Sequence, residues 1–375
     1  MLTEPSRLTD FPTLASQAYL NTAAEGIPPT VVIRAFDQYC RDKLLGMDGR
    51  PKHEAQRQRT RELAARFLGL RPQEIGICSC SSEAFNLAAT AAQLGLDDEV
   101  IINDLDFPAG ATPWLVPTCP ATTRLWAARE GALRLEDLTS LLGPRTRLVS
   151  LSLVSFLNGY RLPLNEIAQQ VHRHCSALLV VDVTQALGRI PLDLSGADLI
   201  ISSTHKWILA SHGGGLVGVP QGRTDEWTAR VGGWFNRENA FEPDRFERAP
   251  TRPGADSYTV GMPNYPAIYA VAAGLEYIES VGVAMIDDYC RPLVRYCLDE
   301  VKKLPVELLT PDEPDGLAGI LAFRHCDAER IQAELQAQNI HIMSHAGRLR
   351  VAIHGYNTAQ DIEKFIAALQ ETLNK

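Results

Sequence analysis

The sequence predicts an α/β protein, with a large domain built on a mostly parallel sheet and a smaller α+β layer after it. Three observations carry that reading. Short apolar runs of four to six residues recur between 75 and 219 and alternate with helical stretches. That is the pattern of right-handed crossovers covering both faces of a sheet. Reactive and polar residues gather at the carboxyl ends of those runs, the edge where open α/β sheets bind ligands. Beyond 266, helices alternate with three short strands, at 320–323, 340–343 and 349–353.

Taken in order, residues 1–18 read as an arm, and Ala18 to Ala24 as a strand running into a turn at Gly26 and Pro28-Pro29. Helical periodicity covers 30–45 and 53–68, the second with Leu63, Ala64, Phe67 and Leu68 on its apolar side. The strand Ile75 to Cys78 precedes Ser81 and Ser82, candidate N-caps of a helix from Ala84 to Leu94. Strands follow at 100–103, 124–127 and 148–153, with a helical segment around Pro113-Trp114 and a helix after Glu136. The turn Ser155 to Arg161 leads into the helix Leu164 to His174. The apolar run Ala177 to Val181 is too short for a helix and ends at Asp182, with Gln185 just beyond. Another strand, Asp198 to Ile201, runs into Ser202-Ser203-Thr204-His205-Lys206-Trp207, then three glycines and the strand Leu216 to Val219. Residues 222–256 lack periodicity and read as loops near the entrance and at a subunit contact. Helices are expected at 266–280, 284–303, 328–338 and 359–373.

Composition narrows the class. Of 375 residues, 45% are apolar and 22% charged, as in ordinary soluble globular proteins. A net charge of -9 argues against nonspecific nucleic-acid binding. No apolar run approaches the roughly 18 residues that cross a bilayer, and the amino terminus has acid and prolines where a signal peptide needs an apolar core. Eight scattered cysteines show neither zinc spacing nor a disulfide framework. No nucleic acid, membrane or metal is expected, and reduced thiols point to a cytoplasmic location.

The residues at 182–206 suggest a chemistry. An aspartate at a strand end can hold a proton on a heterocyclic nitrogen, while serine and histidine can hydrogen-bond a phosphate. A lysine partly desolvated among them can lose its proton and attack a carbonyl, forming a Schiff base. Those are the parts of a pyridoxal 5'-phosphate (PLP) site. The pattern D-x-x-Q at 182–185, then S-x-H-K-W at 203–207 and the glycine run, resembles the class V aminotransferases of PLP fold type I. The resemblance implies a seven-stranded sheet in a large domain over 19–265. A small domain would then be made of 1–18 and 266–375, in a homodimer with active sites near its interface.

It also implies roles for individual residues. Lys206 would be the Schiff-base lysine, Asp182 the partner of the ring nitrogen, and Gln185 a contact of the ring oxygen. Ser79 to Asn86 is similar to the family's S-G-x-T-E-A-x-N, with Cys80 in place of glycine, which assigns Ser81 and Ser82 to the phosphate with Ser203 and His205. Phe107 stands where desulfurase-like members carry a stacking histidine. Phe156 replaces a family asparagine, for which Asn158 is a candidate substitute or merely a turn former. Gly261 to Asn264 is similar to G-T-x-N, but Met262 replaces the threonine, leaving Asn264 as a possible contact across a dimer. The Y-L-[DN]-x-A-A segment places Asn21, Ala23 and Ala24 beside the substrate. Arg350 opens a stretch like R-x-S-x-x-x-Y-N-T, where a planar guanidinium forks onto an α-carboxylate.

The implied activity is Cα deprotonation of an amino acid by Lys206, with Asp182 and His205 as the other catalytic residues. Amino transfer and β-elimination, as in a carbon–sulfur lyase, are the leading outcomes, and epimerisation of the isopenicillin N epimerase type is the alternative. His345 is a candidate second acid or base. A desulfurase using a persulfide is disfavoured, because Ile342 to Arg348 contains no cysteine and Cys326 lies before the preceding helix. A non-catalytic binding or regulatory protein on the same fold is the other class, opposed by the presence of Lys206, Asp182 and Arg350.

Overall fold

The computed structural model describes residues 4–375, so the first three residues of the arm lie outside the described residues. Helix α1 (Glu4–Asp10) and strand β1 (Ala18–Tyr19) lead to helices α2 (Thr30–Lys43) and α3 (Arg50–Leu68). Alternation then runs through β2 (Ile75–Cys78), α4 (Ser81–Ala91), β3 (Glu99–Asn103), α5 (Pro108–Leu115) and β4 (Thr122–Trp126). It continues with α6 (Leu135–Leu141), β5 (Thr146–Ser152), α7 (Leu164–His174), β6 (Leu178–Asp182), β7 (Leu199–Ser203) and β8 (Gly215–Gly218).

The strands β2 to β8 form one seven-stranded sheet in the order β2-β8-β7-β6-β5-β3-β4. Five neighbours, β4 to β7 along that order, are parallel, and β8 is antiparallel to both of its neighbours. All five residues of β6 are buried, because helices cover both faces and each face needs its own apolar set. Alternation decides which side chain goes where. Leu179, Val181 and Ile200 join the cluster containing Leu63, Val171 and Leu275. Their neighbours Leu178, Val180 and Ile201 join Phe85, Trp114 and Trp227 on the opposite face.

After 219 the chain loses regular structure until α8 (Tyr265–Val281), followed by α9 (Val283–Val301), β9 (Glu307–Leu308), β10 (Ile320–Arg324) and α10 (Ala328–Ala337). The end comprises β11 (Ile340–His341), β12 (Met343–His345), β13 (Arg348–Ala352) and α11 (Ala359–Leu373). A four-stranded antiparallel sheet, β12-β13-β10-β9, carries the second core, which includes Phe323, Leu349, Val351 and Phe365 together with Phe11 and Leu14 of the arm. Helix α8 bridges the two cores. Its Ile268 and Leu275 pack with the large sheet, and Ile278 packs with the carboxyl-terminal layer.

Two local expectations are corrected. Helix α4 begins at Ser81, three residues early, because the Cys80 thiol rather than a serine caps it, accepting the Glu83 N–H at 3.4 Å. The single strand expected over 340–343 divides, with β11 pairing to β1 and β12 to β13. Among the described residues no single helix is long and apolar enough to cross a membrane.

Candidate active site

Adjacent strands deliver the reactive groups. In the sheet β5 pairs with β6 and β6 with β7, so Ser152, Asp182 and Ser203 finish at one carboxyl edge. Past β7 the backbone is pinned from two sides. The Thr204 hydroxyl lies 2.7 Å from the Ser211 carbonyl and 3.0 Å from that of Gly214, and the Gly26 N–H donates to the His205 carbonyl at 2.9 Å. Lys206 is thereby held over the sheet edge. A cavity of about 970 Å³ opens there, lined by Ala23, Ala24, Ser81, Ser82, Phe107, Asp182, Gln185, Ser203, His205, Lys206 and Arg350.

The electrostatics of these groups are coupled. Burial, reinforced by the charge of Arg350 and opposed by Asp182, lowers the Lys206 amine to about 8. The Lys206 Nζ sits 5.1 Å from the centroid of the Phe107 ring, so an aromatic face shields it. Asp182 is buried, and although its carboxylate accepts the Thr184 N–H at 2.7 Å, burial raises its pKa. His205, stacked on His212 at 4.4 Å, is lowered to about 4, first by burial and then by the charge of Lys206, so it is neutral at pH 7. Arg350 is buried and lowered to about 10, first by burial and then by Arg348.

The residues present fit pyridoxal phosphate. The buried Ser203 hydroxyl has no hydrogen-bond partner among the described residues, an open position for an acceptor such as a phosphate oxygen. The first-turn N–H groups of Ser81 and Ser82 open α4 and have no acceptor inside the helix, a second anion position. A buried carboxylate such as Asp182 calls for a cationic N–H partner, which a protonated ring nitrogen provides. Gln185 lines the cavity, but its oxygen accepts from the Trp207 indole at 2.7 Å and one N–H is donated to the Ala23 carbonyl at 3.0 Å. One amide hydrogen remains to it.

Three predicted residues are not brought to this cavity. Asn158 is buried elsewhere, its amide donating to the Gly131 and Leu309 carbonyls and accepting the Tyr160 N–H, so it shapes the turn and does not replace the asparagine absent at Phe156. Asn264 caps α8, donates to the Gly213 carbonyl at 3.0 Å, and lines a separate small cavity with Met262. Asn21 forms a bridge to Ala352 at the seam with the second core, outside the cavity lining, although Ala23 and Ala24 are in it. The lining also contains Thr184 and Arg348, which the sequence reading passed over, and Phe156 and Cys80, which it noted only as departures from the family pattern. The position of Arg348 was readable, because it stands two residues before Arg350 on a strand and shares its face.

The model of the aminotransferase class-V family matches residues 18–365. A cysteine desulfurase of Klebsiella pneumoniae is 27% identical over 96% of both chains. An uncharacterized aminotransferase, YcbU of Bacillus subtilis, is 26% identical over 95% of this chain and 94% of that protein. Among solved structures, the apo cysteine desulfurase of Thermococcus onnurineus superposes with a TM-score of 0.89 at 20% identity, covering 100% of this chain and 99% of that one. The cystine C-S lyase C-DES, in complex with its product cysteine persulfide, does so with a TM-score of 0.87 at 23% identity over 96% and 99%. The structural likenesses establish the fold, and the expectation against a desulfurase finds no support in them, since several similar proteins carry that name. With the family model spanning nearly the whole chain and the cavity suited to the cofactor, the chain belongs to the aminotransferase class-V family of PLP-dependent enzymes.

Proposed function

We propose that the protein acts on an amino acid by moving its Cα proton through Lys206, and completes either amino transfer or β-elimination of a sulfur-bearing side chain. The observation that carries this reading is Lys206 itself, a lysine lowered to about 8 in a cavity that also holds Asp182 and Arg350. An amine with a pKa near the working pH both takes and returns a proton efficiently. Bound against Asp182, pyridoxal phosphate supplies the electron sink that makes a Cα–H acidic. Asp182 holds a proton on a ring nitrogen, while Ser203, neutral His205 and the first turn of α4 hold an anion. Phe107 keeps water from Lys206, and Arg350 orients a carboxylate with its planar fork.

Release of sulfur from cysteine is the second reading, favoured by the names of similar proteins. Against a persulfide-forming thiol near the substrate carboxylate, the wall before Arg350 is Met343, Ser344, His345 and Ala346, and Cys80 at the α4 end is the one cysteine in the cavity lining. The same proposal includes a homodimer. It is supported by apolar side chains left exposed in the single chain, such as Met47, Phe241 and Phe246, and by the place of Asn264 outside the cavity. A cytoplasmic location is supported by eight free cysteines.

The test is borohydride trapping of the cofactor-loaded protein followed by peptide mapping, with the tag expected on Lys206. An amino-acid panel then separates the outcomes. A 2-oxo acid with a pyridoxamine-form cofactor indicates transfer, pyruvate with ammonia and sulfide indicates elimination, alanine with sulfur indicates desulfuration, and loss of chirality indicates epimerisation. A tag on any other residue sinks the assignment.

A further inference from the structure

Strand β13 presents two arginines to the cavity. Leu349 and Val351 point into the second core and are fully buried, so the alternating residues Arg348 and Arg350 face the other way, into the cavity. Both are buried, at 7% and 3% exposure. Neither has a carboxylate within 4.0 Å among the described residues, in contrast to the chain's other buried guanidiniums. Arg189 pairs with Asp287 at 3.0 Å, Arg61 with Asp256 at 3.0 Å, and Arg7 with Asp361 at 3.3 Å. An unpaired buried charge is costly, so such a charge is retained where its partner is a ligand.

Few of their donors are spent within the chain. Arg348 Nη1 donates to the Leu157 carbonyl at 2.9 Å and its guanidinium lies 5.3 Å from the Phe156 ring centroid, while Arg350 Nη1 donates to the Phe156 carbonyl at 2.8 Å. Each guanidinium has five N–H donors, and the Arg350 Nε is buried without a partner. The acid lining the cavity is Asp182, at the cofactor end. Arg324, opposite Arg348 in the sheet, is already paired with Glu307. The substrate end of the cavity is therefore a positively charged wall with two unneutralised forks, in a protein whose net charge is -9.

We propose that the substrate is an amino acid bearing a second acid group on its side chain, a carboxylate or sulfinate, with Arg350 on the α-carboxylate and Arg348 on the side-chain acid. This rests on the reading of Arg350 given above and makes Arg348 the residue that sets specificity.

Two measurements test it. In the first, calorimetry compares succinate with propionate as probes of the cofactor-loaded protein, wild type, Arg348→Met and Arg348→Lys. Succinate is expected to bind at least tenfold more tightly than propionate to wild type, a preference that collapses in Arg348→Met and is partly restored in Arg348→Lys. In the second, kcat/KM for aspartate, glutamate and cysteine sulfinate is divided by that for alanine and cysteine. Loss of a fork to a buried acid lowers that ratio by about 100-fold in Arg348→Met. Equal affinity for the two probes, or an equal loss for both in Arg348→Met, overturns the proposal and leaves Arg348 as a brace for the Phe156-Leu157 turn. The two readings fail separately. Amino acids turned over without preference for acid side chains sink the substrate class but keep the reaction. A succinate preference without turnover of any amino acid sinks the reaction but keeps the double-arginine site.

Discussion

Replacing Lys206 with methionine is expected to stabilise the cofactor-free protein while abolishing its activity. In the folded chain the amine sits at about 8, against about 10.4 for an exposed lysine, a gap worth about 3 kcal/mol. The attraction of Asp182 is already contained in that value. Because the side chain is partly open to the cavity, water reduces the penalty, and about 2 kcal/mol is a working figure. The pH dependence fixes the sign. Below pH 8 the amine is protonated in folded and unfolded chains alike, so the fold bears the whole penalty. Between about 8 and 10.4 the folded chain gives up its proton first, and wild-type stability rises with pH. Methionine does not titrate, so its advantage is greatest at pH 7 and fades toward pH 10.5. Urea unfolding of both cofactor-free proteins at pH 7, 9 and 10.5 measures this. A variant less stable than wild type at pH 7, or a gain that does not change with pH, would refute the argument.

Ser203→Ala removes the unpartnered buried hydroxyl, one hydrogen bond to a charged acceptor worth about 1.5–3 kcal/mol. Affinity of the cofactor-free protein for pyridoxal phosphate should therefore fall roughly tenfold or more by absorbance titration, and an unchanged affinity rules out that contact. Asp106 is raised to about 7 by burial, with a Ser152 hydrogen bond opposing and the charge of Asp182 adding to the rise. Since its folded pKa lies above the unfolded one, stability is lost as pH climbs from about 4 to 7. Asp106→Asn should remove that loss, stabilising by about 2–4 kcal/mol above pH 7 and by almost nothing near pH 4. Denaturation curves showing no gain above pH 7 contradict it.

The seven-stranded sheet was legible because strand burial leaves a strong mark on sequence. Runs such as Leu178 to Asp182 are apolar at every position, and their carboxyl ends carry the residues that meet in the cavity. The sites that misled are those where one residue type serves two masters. Asn158 had the right chemistry two residues from the right place, but its amide is spent on the Gly131 and Leu309 carbonyls, contacts made across long sequence separations. Cys80 looked like a defect in a phosphate loop, yet its thiol accepts the Glu83 N–H and sets the first turn of α4 early enough to aim Ser81 and Ser82. Arg348 was passed over because a charged strand residue reads as solvent-facing until its neighbours show that the face is enclosed.

Gly26 shows the same gap between local and tertiary causes. In the sequence it reads as a turn glycine before Pro28-Pro29, a matter of backbone freedom. In the structure close approach is what matters, since a Cβ at this position would lie 2.0 Å from the Lys206 carbonyl oxygen and 3.0 Å from a Leu209 methyl. Contacts below 3.0 Å do not persist, so the amino-terminal segment or the lysine backbone must retreat by about 1 Å. The N–H of the same residue holds the His205 carbonyl at 2.9 Å, so the displacement falls on the peptide that sets the direction of Lys206. A shift of that size at a reacting group costs on the order of 100-fold in rate. Gly26→Ala should therefore lose about two orders of magnitude in kcat with cooperative unfolding retained. Gly143→Ala, which meets nothing within 4 Å, should behave as wild type. Near-normal kcat in Gly26→Ala would mean that the lysine is seated by the Thr204 contacts alone and that the amino-terminal segment merely passes over the site.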